Sequence, residues 1–122
     1  MALGLNSRNQ RRSPRVDVLL RLRGELVPIG FPIRIFNLNR TGFAVLSEVR
    51  FRPGERLDFR LTPIRGPSLH VTAAAVHTRP LPDSPGRYVT GFTFQPHRPD
   101  GAVPEAAIRE LIAAVAPAGF QV

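Results

Sequence analysis

The sequence contains no cysteine and no lysine. Without cysteine there can be no disulfide, no thiolate nucleophile and no Cys-ligated zinc or iron–sulfur centre. The lack of disulfides fits a reducing compartment. Without lysine, the phosphate-cradling G-x-x-x-x-G-K-[ST] loop is excluded. No apolar run approaches the roughly 18 residues a membrane span needs. Met1 to Gln10 has no apolar h-region, so the expectation is no membrane insertion, no signal peptide and a cytoplasmic location. Histidine is sparse: His70, His77 and His97 form no H-x-H or H-x-x-x-H pair. On a straight strand, positions seven apart point to opposite faces, so His70 and His77 are not expected to share a metal. No serine lies in a G-x-S-x-G context. The carboxylates Glu48, Glu55, Asp58 and Asp83 read as solvated charge in turns or on an exposed strand face. No catalysis, metal or cofactor is expected.

Arginine, by contrast, is abundant. The 122 residues carry 17 basic side chains, every one an arginine, against 9 acidic ones, for a formal net charge of +8. GC-rich codon usage accounts for most of the surface arginines but not for where the first ones fall. Residues 1–15 hold Arg8, Arg11, Arg12 and Arg15 and no acidic residue. A guanidinium is a planar, permanently charged fork that suits phosphates and the O6/N7 edge of guanine. An anionic partner follows, with nucleotides or nucleic acid first among the candidates.

The length suits one domain that buries roughly two-thirds of the surface its unfolded chain exposes. Residues 1–15 read as a flexible arm, stopped at Ser13-Pro14. From Val16 apolar and polar residues alternate: Val16, Val18, Leu20 and Leu22 share one face, which predicts a half-buried strand over 16–23. Gly24 to Pro32 reads as a turn or kinked edge. Strands are predicted at Ile33–Leu38, at Phe43–Ser47, around Leu57, Phe59 and Leu61, at Ser68–Thr78 and at Arg87–Phe94. Within the last, Gly91 faces the other way, where the lack of a side chain is expected to let something approach closely. Ile108, Leu111, Ile112 and Val115 then fall at i, i+3, i+4 and i+7, an amphipathic helix over about 104–116, with Pro104 suiting its first position and Pro117 with Gly119 ending it. Six short strands and one helix predict a mainly β chain: a six-stranded antiparallel β-barrel over 16–122 with a C-terminal helix packed across it.

Two segments stand out. Arg11-Arg12-Ser13-Pro14-Arg15 gives an R-x-x-x-R spacing just before the first strand. Asn37-Leu38-Asn39-Arg40-Thr41-Gly42 connects two strands, and as an ordinary hairpin connection its Asn and Gly would supply positive φ. In this order, on six strands and a helix, the two resemble the PilZ domain family, which carries R-x-x-x-R near its N-terminus and [D/N]-x-S-x-x-G some twenty to thirty residues later. Pro53-Gly54-Glu55-Arg56-Leu57, Val71 to Val76 and Gly91-Phe92-Thr93-Phe94 also look like that family's turn, long middle strand and closing strand.

The resemblance implies a bacterial receptor for cyclic di-GMP, of the split-barrel type, with no catalytic activity, signalling to a separate downstream protein. By position, Arg11 and Arg15 would be the clamp with Arg12 a helper, and Asn37, Asn39 and Gly42 the barrel-side contact. The ligand's two phosphates and two guanines suit arginine forks. The sequence departs from the family pattern at Asn39, where serine is usual, and Asn37 offers one acceptor where a carboxylate offers two. Two other readings stay open. One is a PilZ-like protein-interaction module without nucleotide. The other is a small basic barrel binding RNA or DNA, against which the shortage of aromatic stacking platforms counts: Phe36, Phe43, Phe59, Phe92 and Phe94 read as core.

Overall fold

The computed structural model describes residues 16–18 and 21–116. They form strands β1 (Val16–Asp17), β2 (Leu22–Leu26), β3 (Phe31–Leu38), β4 (Gly42–Ser47), β5 (Arg56–Pro63), β6 (Leu69–Pro80) and β7 (Tyr88–Gln95), then one helix, α1 (Glu105–Val115). All pairings are antiparallel, in the order β3-β2-β5-β6-β7-β4, and β4 returns to β3. Six strands therefore close into a barrel, with β1 a two-residue addition on β3. Closure removes the open sheet edges that a flat sheet of this length would expose.

Alternation dictates which face turns inward. In β5, Phe59 and Leu61 are buried while Arg56 and Asp58 are exposed. In β6, Val71, Ala73 and Ala75 are buried. The barrel fills around Phe43, whose ring lies 5.0 Å from that of Phe59 edge-on, 5.5 Å from Phe92 stacked and 5.4 Å from Phe94. Such pairs add about 0.5–1.5 kcal/mol beyond the area they bury. Phe51 joins them, edge-on to Phe92 at 5.2 Å; it lies between strands, where alternation gives no signal. Its carbonyl accepts the Thr78 hydroxyl at 3.0 Å, and Thr78 in turn meets the buried Thr90 hydroxyl at 2.9 Å.

The helix lays Ile108, Leu111, Ile112 and Val115 on the core, packing against β5 and β6. Pro104 stands at the cap, one position before the first helical residue. The chain is already extended at Ala116, so the helix ends before Pro117 and Gly119, which lie outside the described residues. Arg21 Nη1 donates to the Val115 carbonyl at 3.2 Å, setting a cation at the negative end of the helix dipole.

Several sequence expectations need correction. The stretch from Gly24 to Pro32 is not all turn: Gly24 to Leu26 complete β2, and Phe31 and Pro32 open β3. The strand read over 16–23 is broken. Asp17 pairs with Asn37 and Arg23 with Arg34, so the first strand takes twice as many steps as its partner. The surplus is folded into a turn in which Arg21 N and Leu22 N both donate to the Val18 carbonyl. Val18 and Leu22 both stay buried, so the apolar period survives where the strand does not. Phe36 is only half-buried and outside the core cluster, because a bulge between Ile35 and Asn37 resets the alternation and turns Ile35 and Leu38 inward instead. A second bulge, between Ala75 and His77, removes the straight-strand premise for His70 and His77. Their spacing along β6, on the order of 20 Å at the usual strand rise, keeps them apart regardless.

Candidate functional site

The N-x-N-x-x-G segment forms the end of the β3–β4 hairpin. Leu38 pairs with Phe43, and the Asn39 N–H donates to the Gly42 carbonyl at 2.9 Å. The Asn39 side chain holds the turn from inside: its Oδ1 accepts from Thr41 N, Thr41 Oγ1 and Gly42 N, each at 3.0 Å. Asn39 is 5 % exposed. Asparagine and serine both form such side-chain-to-backbone turns, so the larger residue does here what a serine hydroxyl can also do.

The Asn and Gly of this turn do not take positive φ, contrary to the expectation for a hairpin connection. The positive-φ residues among those described are Gly30, Gly54, Gly66 and Gly86. Gly42 is required for a different reason. A Cβ placed on it would lie 1.9 Å from the Phe92 carbonyl oxygen, so only glycine lets β4 approach β7 at this point. That is the close approach assigned to Gly91 from the sequence. At Gly91 a Cβ would meet the His77 ring at 3.8 Å, an ordinary contact. The Phe94 N–H donates to the Thr41 carbonyl at 2.9 Å, tying the turn to β7.

Asn37 is half-buried beside the β3 bulge, paired in register with Ala44 on one side and Asp17 on the other. Arg40, not assigned from the sequence, is exposed at the turn. Arg11, Arg12 and Arg15 lie outside the described residues. The hairpin end thus gathers Asn37, Asn39 and Gly42. Val16 pairs with Leu38, one residue before Asn39, so β1 begins beside this turn.

Several other polar side chains have local duties. Thr72 donates to Asp58 at 2.7 Å and meets His97 Nδ1 at 3.1 Å. Its single proton goes to the carboxylate, so His97 is the donor in the second bond. Arg60 donates to His70 Nε2 at 3.2 Å and pairs with Glu25 at 2.9 Å. Among the described residues no three His, Asp or Glu side chains converge as metal ligands, and no helix is long and apolar enough to cross a membrane.

Fold and turn together define a small closed antiparallel barrel in which β1 begins beside one hairpin end. The family profile for the PilZ domain matches residues 9–114, and the chain belongs to that family. No curated protein matches it significantly. Among solved structures it resembles the PilZ domain with c-di-GMP of YcgR from Escherichia coli, at 16 % identity and TM-score 0.62, covering 87 % of this chain and 91 % of that one. It also resembles the Bacillus subtilis inhibitor of motility MotI/DgrA, at 14 % identity and TM-score 0.64, covering 87 % of this chain and 49 % of that one. A third is the K. pneumonia MrkH–c-di-GMP complex, at 14 % identity and TM-score 0.65, covering 85 % and 51 %. The chain therefore spans about half the length of the latter two, and at these identities the likeness concerns the fold.

Proposed function

We propose that this protein is a cyclic di-GMP receptor that acts on a separate protein and performs no chemistry of its own. The observation that supports the reading most is the pairing of Val16, the residue after the R-x-x-x-R motif, with Leu38 inside the N-x-N-x-x-G segment. Family membership and neighbours solved with c-di-GMP support it. Arg11 and Arg15 clamp the guanines and phosphates, with Arg12 assisting. Asn37 takes a guanine edge. Asn39 and Gly42 contribute by shaping the hairpin end, since the Asn39 carbonyl oxygen is already engaged by the turn. Asparagine in the usual serine position is compatible with the site for that reason. Ligand binding orders residues 6–15 against the barrel and alters the surface around β1, which is how the signal reaches a partner. A cytoplasmic location belongs to the same proposal.

Calorimetric titration with cyclic di-GMP at physiological salt, with GTP and a short RNA as controls, tests it. The expected result is selective binding at micromolar concentration or tighter, abolished by Arg15→Ala. An absence of heat at several temperatures, with thermal stability unmoved by the nucleotide, would reject the receptor reading. Equal, steeply salt-dependent binding of the RNA would point instead to a general polyanion surface.

A further inference from the structure

Arg23 and Arg34 sit directly opposite one another in the β2–β3 register. Both are exposed, on the outward face, since their neighbours Leu22, Ile33 and Ile35 are buried. Like charges facing each other across an antiparallel pair destabilise it. Glu25, the next outward residue on β2, is paired with Arg60 rather than with Arg23 or Arg34. The two guanidiniums line a groove of about 630 Å³ whose other walls include Phe31, Pro32, Glu48 and Val49. That volume falls within the roughly 300–1,000 Å³ of ligand-binding clefts. Phe31 is 46 % exposed and Val49 39 %, so apolar surface borders the charges without a cover. The groove lies toward the far end of the β3–β4 hairpin from the 39–42 turn: Arg34 pairs with Leu46, whereas Leu38 pairs with Phe43. The separation is on the order of 13 Å along the strand.

We infer that this groove docks an extended peptide segment of a partner protein in which acidic residues alternate with apolar ones. The carboxylates meet the Arg23 and Arg34 forks, and the apolar residues cover Phe31 and Val49. Charge complementarity selects an acidic partner. The apolar border selects peptide over nucleic acid, because a phosphodiester backbone offers nothing to cover Phe31 and Val49. This inference does not rest on nucleotide binding.

The probe is a pool of fluorescein-labelled octapeptides alternating Asp or Glu with Leu, Ile or Phe. It is followed by anisotropy, with a pool carrying Lys in place of the acids and an oligothymidylate of equal charge as controls. Saturable binding of the acidic pool is expected, weakened at least about ten-fold by Arg23→Glu with Arg34→Glu. Amide shifts should fall within 31–34 and 46–49. Arg34→Glu alone removes the like-charge opposition, so its melting temperature should equal or exceed that of the parent, which separates lost binding from lost folding. Failure of the pool to bind, binding indifferent to charge reversal, equal binding of the oligothymidylate, or competition showing that a second copy of the chain fills the groove would each overturn the inference.

Discussion

Replacing Gly42 by alanine tests the geometry of barrel closure and of the hairpin end together. The new Cβ would start 1.9 Å from the Phe92 carbonyl oxygen, whereas real Cβ contacts essentially never fall below 3.0 Å. The obstacle is backbone, which has no rotamer to move away, so β4 must retreat from β7 by more than about 1 Å. A hydrogen bond of ordinary length stretched by that much is lost. The nearest is Phe94 N to the Thr41 carbonyl at 2.9 Å, with the first β4–β7 rungs behind it. Two bonds at about 1 kcal/mol each, with the low end of the 1–3 kcal/mol cost of overpacking, give about 3 kcal/mol. For a domain of this size that corresponds to a fall of roughly 12 °C in Tm. Gly91→Ala is the control, on the strand opposite Ala44. Its Cβ meets the His77 ring at 3.8 Å, and alanine lowers the entropy of the unfolded chain. It should leave stability within about 0.5 kcal/mol or raise it. Urea denaturation of the pair decides the matter: equal midpoints with unchanged m-values would refute the close-approach argument.

Other substitutions separate structural from surface duties, and each is read by chemical denaturation. Asn39→Ala removes the acceptor of three hydrogen bonds and should cost about 1–2 kcal/mol, while Asn39→Ser should recover most of that. Thr78→Val strips the Phe51 carbonyl and the buried Thr90 hydroxyl of a partner and should cost about 1–3 kcal/mol, more than Thr90→Val, which removes the buried hydroxyl itself. Ile112→Ala empties a site that is 2 % exposed beneath the helix and should cost about 2–5 kcal/mol. Glu25→Gln breaks an ion pair whose side chains are 31 % and 41 % exposed and should cost less than about 1 kcal/mol, vanishing in high salt.

Much of this architecture is legible in the sequence because the two periods are clean. Alternation through Leu57, Phe59 and Leu61 and through Val71, Ala73 and Ala75 marks inward faces that the barrel uses, and the i, i+3, i+4, i+7 spacing marks the helix face. The misses share one cause. A period-2 pattern carries no information on bulges, so the break at 18–21, the reset at Ile35–Asn37 and the irregularity at Ala75–His77 are invisible until the partner strand is placed. The same limit misassigned the critical glycine. Gly42 and Gly91 look alike in sequence, and only the proximity of the Phe92 carbonyl tells them apart. The N-x-N-x-x-G motif does fall at the end of the β3–β4 hairpin. It did not show that Asn39 turns its carbonyl oxygen into the turn, because that depends on which backbone N–H groups the folded hairpin leaves without partners.

The central claim is that the arm and the N-x-N-x-x-G hairpin end form one site for cyclic di-GMP. Titration of 15N-labelled protein with the nucleotide, followed amide by amide, addresses it most directly. The account predicts saturable shifts confined to residues 6–17 and 37–42, absent in Arg15→Ala, with the 46–49 side of the Arg23–Arg34 groove unmoved. Shifts concentrated elsewhere on the barrel, or none at saturating nucleotide, would contradict it.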